Sequence, residues 1–98
     1  MRIGKVTGRV TLNRAYSTLA GGRFVIVEIQ DRFALAGEPP RKSEALVCYD
    51  HLGAHQGDLI AVSESREACM PFYPDKIVPL DAYCAAILDK VEVSRNAI

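Results

Sequence analysis

The sequence predicts a mainly all-β fold, a small closed barrel of five strands with one short helix. Three observations carry the prediction. Apolar or alternating runs of strand length recur along the 98 residues, separated by glycine, proline and polar turn signals. The first run places glycines on its apolar side, Gly4 and Gly8, where a sharply bent barrel strand needs relief from crowding. A chain of this length has room for one domain, residues 1–98, that buries about two-thirds of the surface it exposes when unfolded.

The elements follow in order. In the first strand, Gly4, Val6, Gly8, Val10 and Leu12 alternate with Lys5, Thr7, Arg9, Thr11 and Asn13, a period of two that puts the first set on a buried face. Asn13 to Arg23 is a connection whose Gly21-Gly22 pair marks a tight turn. Phe24–Ile29 is apolar toward both faces, so this strand is expected to be covered on both, with a subunit interface as one source of the second cover. Gln30 to Glu44 turns polar and contains Pro39-Pro40, which excludes helix and central strand there and predicts a long exposed loop. The third strand is expected over Ala45–Tyr49 and the fourth over Leu59–Ser63. Ser65–Met70 reads as the short helix, capped by Ser63 or Ser65 and stopped at Pro71. The Phe72–Asp75 turn follows it. The alanine-rich run from Ala82 has helical propensity, but the alternation of Asp89–Val93 favours a strand over Ala85 to Val93, with a tail from Ser94. Bent, glycine-bearing strands in a chain of this size fit an OB-like barrel, closed so that no sheet edge is left open.

Composition narrows the function. Lys and Arg total 12, as do Asp and Glu. This balance argues against nucleic-acid binding, which leaves a basic excess, and favours self-association. Cys48, Cys69 and Cys84 cannot all pair within one chain and form no C-x-x-C, so they read as reduced, structural cysteines of an intracellular protein. The N-terminus lacks a signal-peptide pattern, and no run approaches the ~20 apolar residues of a membrane span.

The stretch Leu52-Gly53-Ala54-His55-Gln56-Gly57-Asp58 lies between two apolar runs. Gly53 and Gly57 predict a tight turn through positive φ, and Asp58 is placed to accept backbone N–H bonds that hold it. His51 and His55, with Asp50 and Asp58 nearby, have a spacing that binds metal on a helix. The glycines argue for a turn instead, and no metal site is assigned. Cys48 with His51 has the composition of a nucleophile and its base, but no orienting third group is evident, and no catalytic residue is assigned. Asp81 and Asp89 flank the last run without a defined acid–base geometry. Asp81, after Pro79, reads as bonding local backbone. The glycines form neither a P-loop nor a dinucleotide fingerprint, so no cofactor is expected.

Three motifs, in order, carry a resemblance. The opening Met1-Arg2-Ile3-Gly4-Lys5-Val6-Thr7-Gly8-Arg9-Val10, the central Asp50-His51-Leu52-Gly53-Ala54-His55-Gln56-Gly57-Asp58, and the closing Pro79-Leu80-Asp81-Ala82 through Ile87-Leu88-Asp89 span nearly the whole chain. Together they resemble the bacterial microcompartment vertex proteins of the EutN/CcmL family. The resemblance implies a structural, non-enzymatic shell protein of the cytoplasmic compartment. It implies a homopentamer at the five-fold corners, beside hexameric shell tiles, with no nucleic acid or membrane partner. Gly4, Gly8, Gly53, Gly57, Asp58, Pro79 and Asp81 then serve the shape of bends, turns and assembly. The chain departs from the family pattern at His55, where the family has glycine, at Glu64–Ala68 and at Tyr83-Cys84. His55 could form a ring near a five-fold axis. The alternative reading is an OB-fold nucleic-acid-binding module, whose aromatics would stack on bases. The aromatics here are scattered and include no tryptophan.

Overall fold

The computed structural model describes residues 1–12, 19, 21–73 and 81–94, without the side chains of 66, 67 and 69. The expectations for most of the connection after Asn13, for the end of the turn at Pro74-Asp75, for Pro79, for the Cys69 thiol and for the tail from Arg95 lie outside the described residues. Five strands, β1 (Arg2–Val10), β2 (Arg23–Ile29), β3 (Ala45–Asp50), β4 (Leu59–Glu64) and β5 (Ala82–Leu88), close into a barrel in the order β1-β2-β3-β5-β4. The neighbouring pairs are antiparallel except β3 and β5, which run parallel and meet at Tyr49↔Tyr83.

The interior is filled by alternate residues of the strands: Val6, Val25, Val27, Ile29, Cys48, Ile60, Val62, Ala82 and Cys84, with Ala54 from the turn between β3 and β4. β-branched side chains dominate because they pack well on a pleated surface. Gly4 belongs to this interior. A Cβ there would overlap the Val27 side chain, so the close approach of β1 to β2 requires glycine.

Gly8 does not share that face, contrary to the simple alternation. Val6 pairs with Val27 and Gly8 with Ile26, which leaves Thr7 as an extra residue, a β-bulge. The bulge shifts the inside–outside phase of β1 by one, so Gly8 and Val10 lie beside the outward-facing Ile26 and Phe24. A Cβ on Gly8 would make only ordinary contact with Ile26, at 3.4 Å.

A second, smaller apolar cluster sits outside the barrel. Tyr49 and Tyr83 are buried with Leu19 and Ala68, against Phe24 and Phe72. Their rings meet edge-on or stacked, with centroids 5.4–6.0 Å apart. The cover is a 3₁₀ helix, Ser65–Phe72, in place of the expected helix ending at Met70. Pro71 lies inside it, because the fixed φ of proline suits 3₁₀ winding. Neither serine caps it. Ser63 is a β4 residue, Ser65 takes a left-handed φ of 56°, and the cap position is Glu64, with no side-chain cap bond.

Two further boundaries differ from expectation. β5 begins at Ala82 and ends at Leu88, not at Ala85 and Val93. Helical propensity in the alanine run gives way to pairing with β4, where Tyr83 lies opposite Ser63 and Cys84 opposite Val62. The long loop after β2 is exposed from Ala36 to Ser43, but it opens with a short helix, α1 (Arg32–Leu35), that the sequence reading missed. Asp31 caps it, accepting from the Ala34 N–H at 2.8 Å, and its other oxygen accepts from the Arg41 N–H at 2.8 Å. These bonds hold the Asp31 carboxyl below its ordinary pKa, the Ala34 bond foremost. The Arg32 and Arg41 guanidiniums both lie over the Phe33 ring, 4.9 and 4.6 Å from its centre.

Candidate functional site

The turn from Asp50 to Asp58 is built from two carboxylates. The Asp50 side chain is fully buried at the end of β3. One oxygen accepts from the Leu52 N–H and the other from the Ala54 N–H, both at 2.9 Å, and the Arg23 Nε donates to the second at 3.3 Å. Arg23 also donates through Nη2 to the Ala54 carbonyl. Burial alone would raise the Asp50 carboxyl. The two N–H bonds, a bond from the Cys84 thiol and the Arg23 charge outweigh it and hold the group below its usual range. Asp50 thus fixes the first half of the turn, through Gly53 at φ 92°, and sends Ala54 into the core.

Asp58 organises the second half. Its Oδ2 accepts from the His55 N–H at 2.8 Å, and its own N–H donates to the His55 carbonyl at 3.0 Å. Gly57, at φ 95°, supplies the left-handed step. The turn is then stitched to β1: the Gly57 N–H donates to the Val6 carbonyl at 2.8 Å, and the Val6 N–H to the Asp58 carbonyl at 2.9 Å. Gly53, Gly57 and Asp58 therefore share one turn docked on β1 at Val6, between Gly4 and the bulge that precedes Gly8.

The remaining candidates lie elsewhere. Asp81 is exposed at the entry to β5, and its carbonyl accepts from the Ser65 N–H at 2.8 Å. His55 is exposed on the turn and borders a cavity of about 230 Å³ with Arg9, Arg23 and Gln56. His51 faces away from it. The His51 Nε2 lies 2.5 Å from the Tyr83 hydroxyl, and the ring packs edge-on against Tyr49 and Tyr83. The two histidines thus serve different surroundings, and among the described residues no group of three His, Cys, Asp or Glu is placed to hold a metal. Cys48 and Cys84 are buried in the core, where burial, with Asp50 nearby, pushes both thiols up to about 12. Cys48 stays protonated, the opposite of what a nucleophile needs.

Sequence reasoning missed three contributors. Asp50 opens the central motif and neighbours the histidines, but its own role goes unassigned in the sequence, although an aspartate two residues before a turn's N–H groups is an Asx-turn signal. Gly22 was read as a turn residue, whereas a Cβ there would run into the Tyr49 ring. Arg2 gave no signal. Its guanidinium grips Glu44 at 2.8 and 2.9 Å and Glu64 at 2.6 and 2.8 Å, partners 42 and 62 residues away.

Comparison with known proteins places this barrel. Residues 1–89 match the family model described as ethanolamine utilisation protein EutN/carboxysome. The structure is similar to EutN from Escherichia coli, with a TM-score of 0.77 at 24% identity over 97% of this chain and 90% of that one. It is similar to the pentameric microcompartment shell protein GrpN from Rhodospirillum rubrum, with a TM-score of 0.70 at 24% identity over 96% and 100% of the two chains. CcmL from Gloeobacter violaceus superposes with a TM-score of 0.67 at 26% identity over 95% of this chain and 90% of that chain. No curated protein matches the sequence. With nine-tenths of its length matched to one family model, on the barrel that EutN and CcmL share, the chain belongs to the EutN/CcmL family.

Proposed function

We propose that this chain is a structural shell protein of a bacterial microcompartment, in the cytoplasm, where five copies close a ring that caps a five-fold vertex. The observation that carries the reading is the family match over residues 1–89, on a closed five-stranded barrel. A polyhedral shell cannot be closed with hexagonal tiles alone, so the corner needs a five-membered piece. In this reading the neighbours are hexameric shell proteins and the work is done by geometry, without catalysis or a cofactor. The solved GrpN, described as a pentameric microcompartment shell protein, supports the ring.

The nucleic-acid alternative draws no support from the aromatic cluster at the 3₁₀ helix, outside which Tyr73 is 82% exposed. An OB-type module stacks bases on exposed rings. Here Tyr49 and Tyr83 are buried beneath the 3₁₀ helix, and Phe24 and Phe72 pack against them. The shape roles of Gly4, Gly8, Gly53, Gly57, Asp58, Pro79 and Asp81 belong to the ring reading, and residues 1–98 act in it as one vertex domain. Native mass spectrometry of the purified chain tests it. A five-copy species is expected; a solitary chain at high concentration, or a two- or six-copy species, overturns the reading.

A further inference from the structure

Two stretches of the barrel's apolar surface are left uncovered by the described residues. On the outside of β2 and β3, the row Phe24–Tyr49 lies under the 3₁₀ helix. The next row on the same side, Gly8–Ile26–Val47, continues that surface without a covering element among the described residues; Gly8 and Ile26 are half-buried and Val47 is 52% exposed. The second stretch is an edge. β3 and β5 pair at Tyr49↔Tyr83, so from Ala85 to Leu88 β5 has β4 on one side and, among the described residues, no ladder partner on the other. Ala85 is exposed there, and Ile87 is 39% exposed. Apolar side chains beside unpaired backbone groups are a template for another chain.

The stretches are unlike in form, one a sheet face and the other a strand edge, and they lie apart. Because β3 and β5 run parallel, Val47 precedes the shared rung and Ile87 follows it, about 20 Å apart along the strand direction. A head-to-tail ring needs two such unlike surfaces on every copy, whereas a two-fold dimer needs one self-complementary patch. Neither border carries an excess of one sign that would repel a second copy: Lys5 and Glu28 lie opposite each other beside the face, and Asp89 and Lys90 follow the edge, with Lys90 bonded to Glu92 at 2.8 Å. The formal net charge of +0 sets up no long-range repulsion between copies.

We infer that the occupant of each stretch is a second copy of this chain: the Gly8–Ile26–Val47 face of one copy receives the Ala85–Leu88 edge of the next around the ring. The inference rests on the ring reading and adds which surfaces make the ring.

Val47→Glu and Ile87→Glu test it, with Leu52→Glu as control. Leu52 is comparably exposed, at 47%, but lies in the turn outside both stretches. Native mass spectrometry is expected to show five copies for the wild type and Leu52→Glu, and single copies for the other two, with unchanged far-ultraviolet circular dichroism. A five-copy ring in Val47→Glu or Ile87→Glu overturns the inference, as does loss of the ring in Leu52→Glu. A wild-type chain that never forms five copies sinks the ring reading itself. If a glutamate variant loses its β spectrum, Val47→Thr and Ile87→Thr replace it. Each is then expected to raise the concentration at which the ring dissociates by about fivefold per contact, and an unchanged concentration overturns the inference.

Discussion

Asp50 shows how much one residue can settle. It is a fully buried carboxylate that stays charged because two turn N–H groups, a thiol and a guanidinium converge on it. Asn has nearly the same shape but turns an NH₂ toward one of the N–H groups that Asp50 now accepts from. Asp50→Asn is therefore expected to destabilise the chain by about 3 kcal/mol, read from urea unfolding midpoints. A midpoint within error of wild type would mean that the turn is held by Gly53, Gly57 and Asp58 alone. The Gly53–Asp58 part of the turn was legible in the sequence, because Gly-x-x-x-Gly-Asp states both left-handed steps and the local acceptor. Gly4 was legible as a relief from crowding. Gly8 was not, because one inserted residue at Thr7 moves it to the other face and the bulge leaves no mark in the alternation.

Among the elements, strand existence was easier to read than strand limits. β2, β3 and β4 fall within one residue of expectation at each end, since each is a compact apolar run bounded by turn signals. β5 was misplaced because two rules conflicted: alanine propensity at its start hid a strand, and alternation at Asp89–Val93 suggested one where no ladder forms among the described residues. Long-range polar ties were invisible. Arg2 joins the start of β1 to the start of β3, through Glu44, and to the end of β4, through Glu64. Hydrogen bonds to Arg2 hold both carboxyls below their ordinary value of 4.5. Their contribution to stability is thus complete above that value and is lost as the pH falls through the lower, folded-state values. Arg2→Met is expected to lower the melting temperature by a few degrees at pH 7 and to shrink the drop between pH 7 and pH 3. A drop as large as that of the wild type would mean that the acid sensitivity arises elsewhere, with Asp50 and Asp31 next in line. Both sites are partly solvated, so the effect at neutral pH is modest.

At the scale of the whole molecule, function follows from a shape repeated around an axis. The proposed axial place of His55 belongs here, because its exposed side chain has a role only if five copies gather their turns together. His55→Ala is expected to leave the fold intact and to change the concentration at which the ring dissociates. If wild type and variant assemble identically, His55 is a turn residue and nothing more. The barrel's one parallel seam has a consequence of its own. A closure latched at a single rung, Tyr49↔Tyr83, is where thermal opening would begin, and amide exchange should be fastest along the two flanks that diverge from it. The flanks are the ones assigned to neighbouring copies. Each subunit would then brace the weakest joint of the next, so that the vertex gains rigidity as it gathers its members and heat resistance rises with protein concentration.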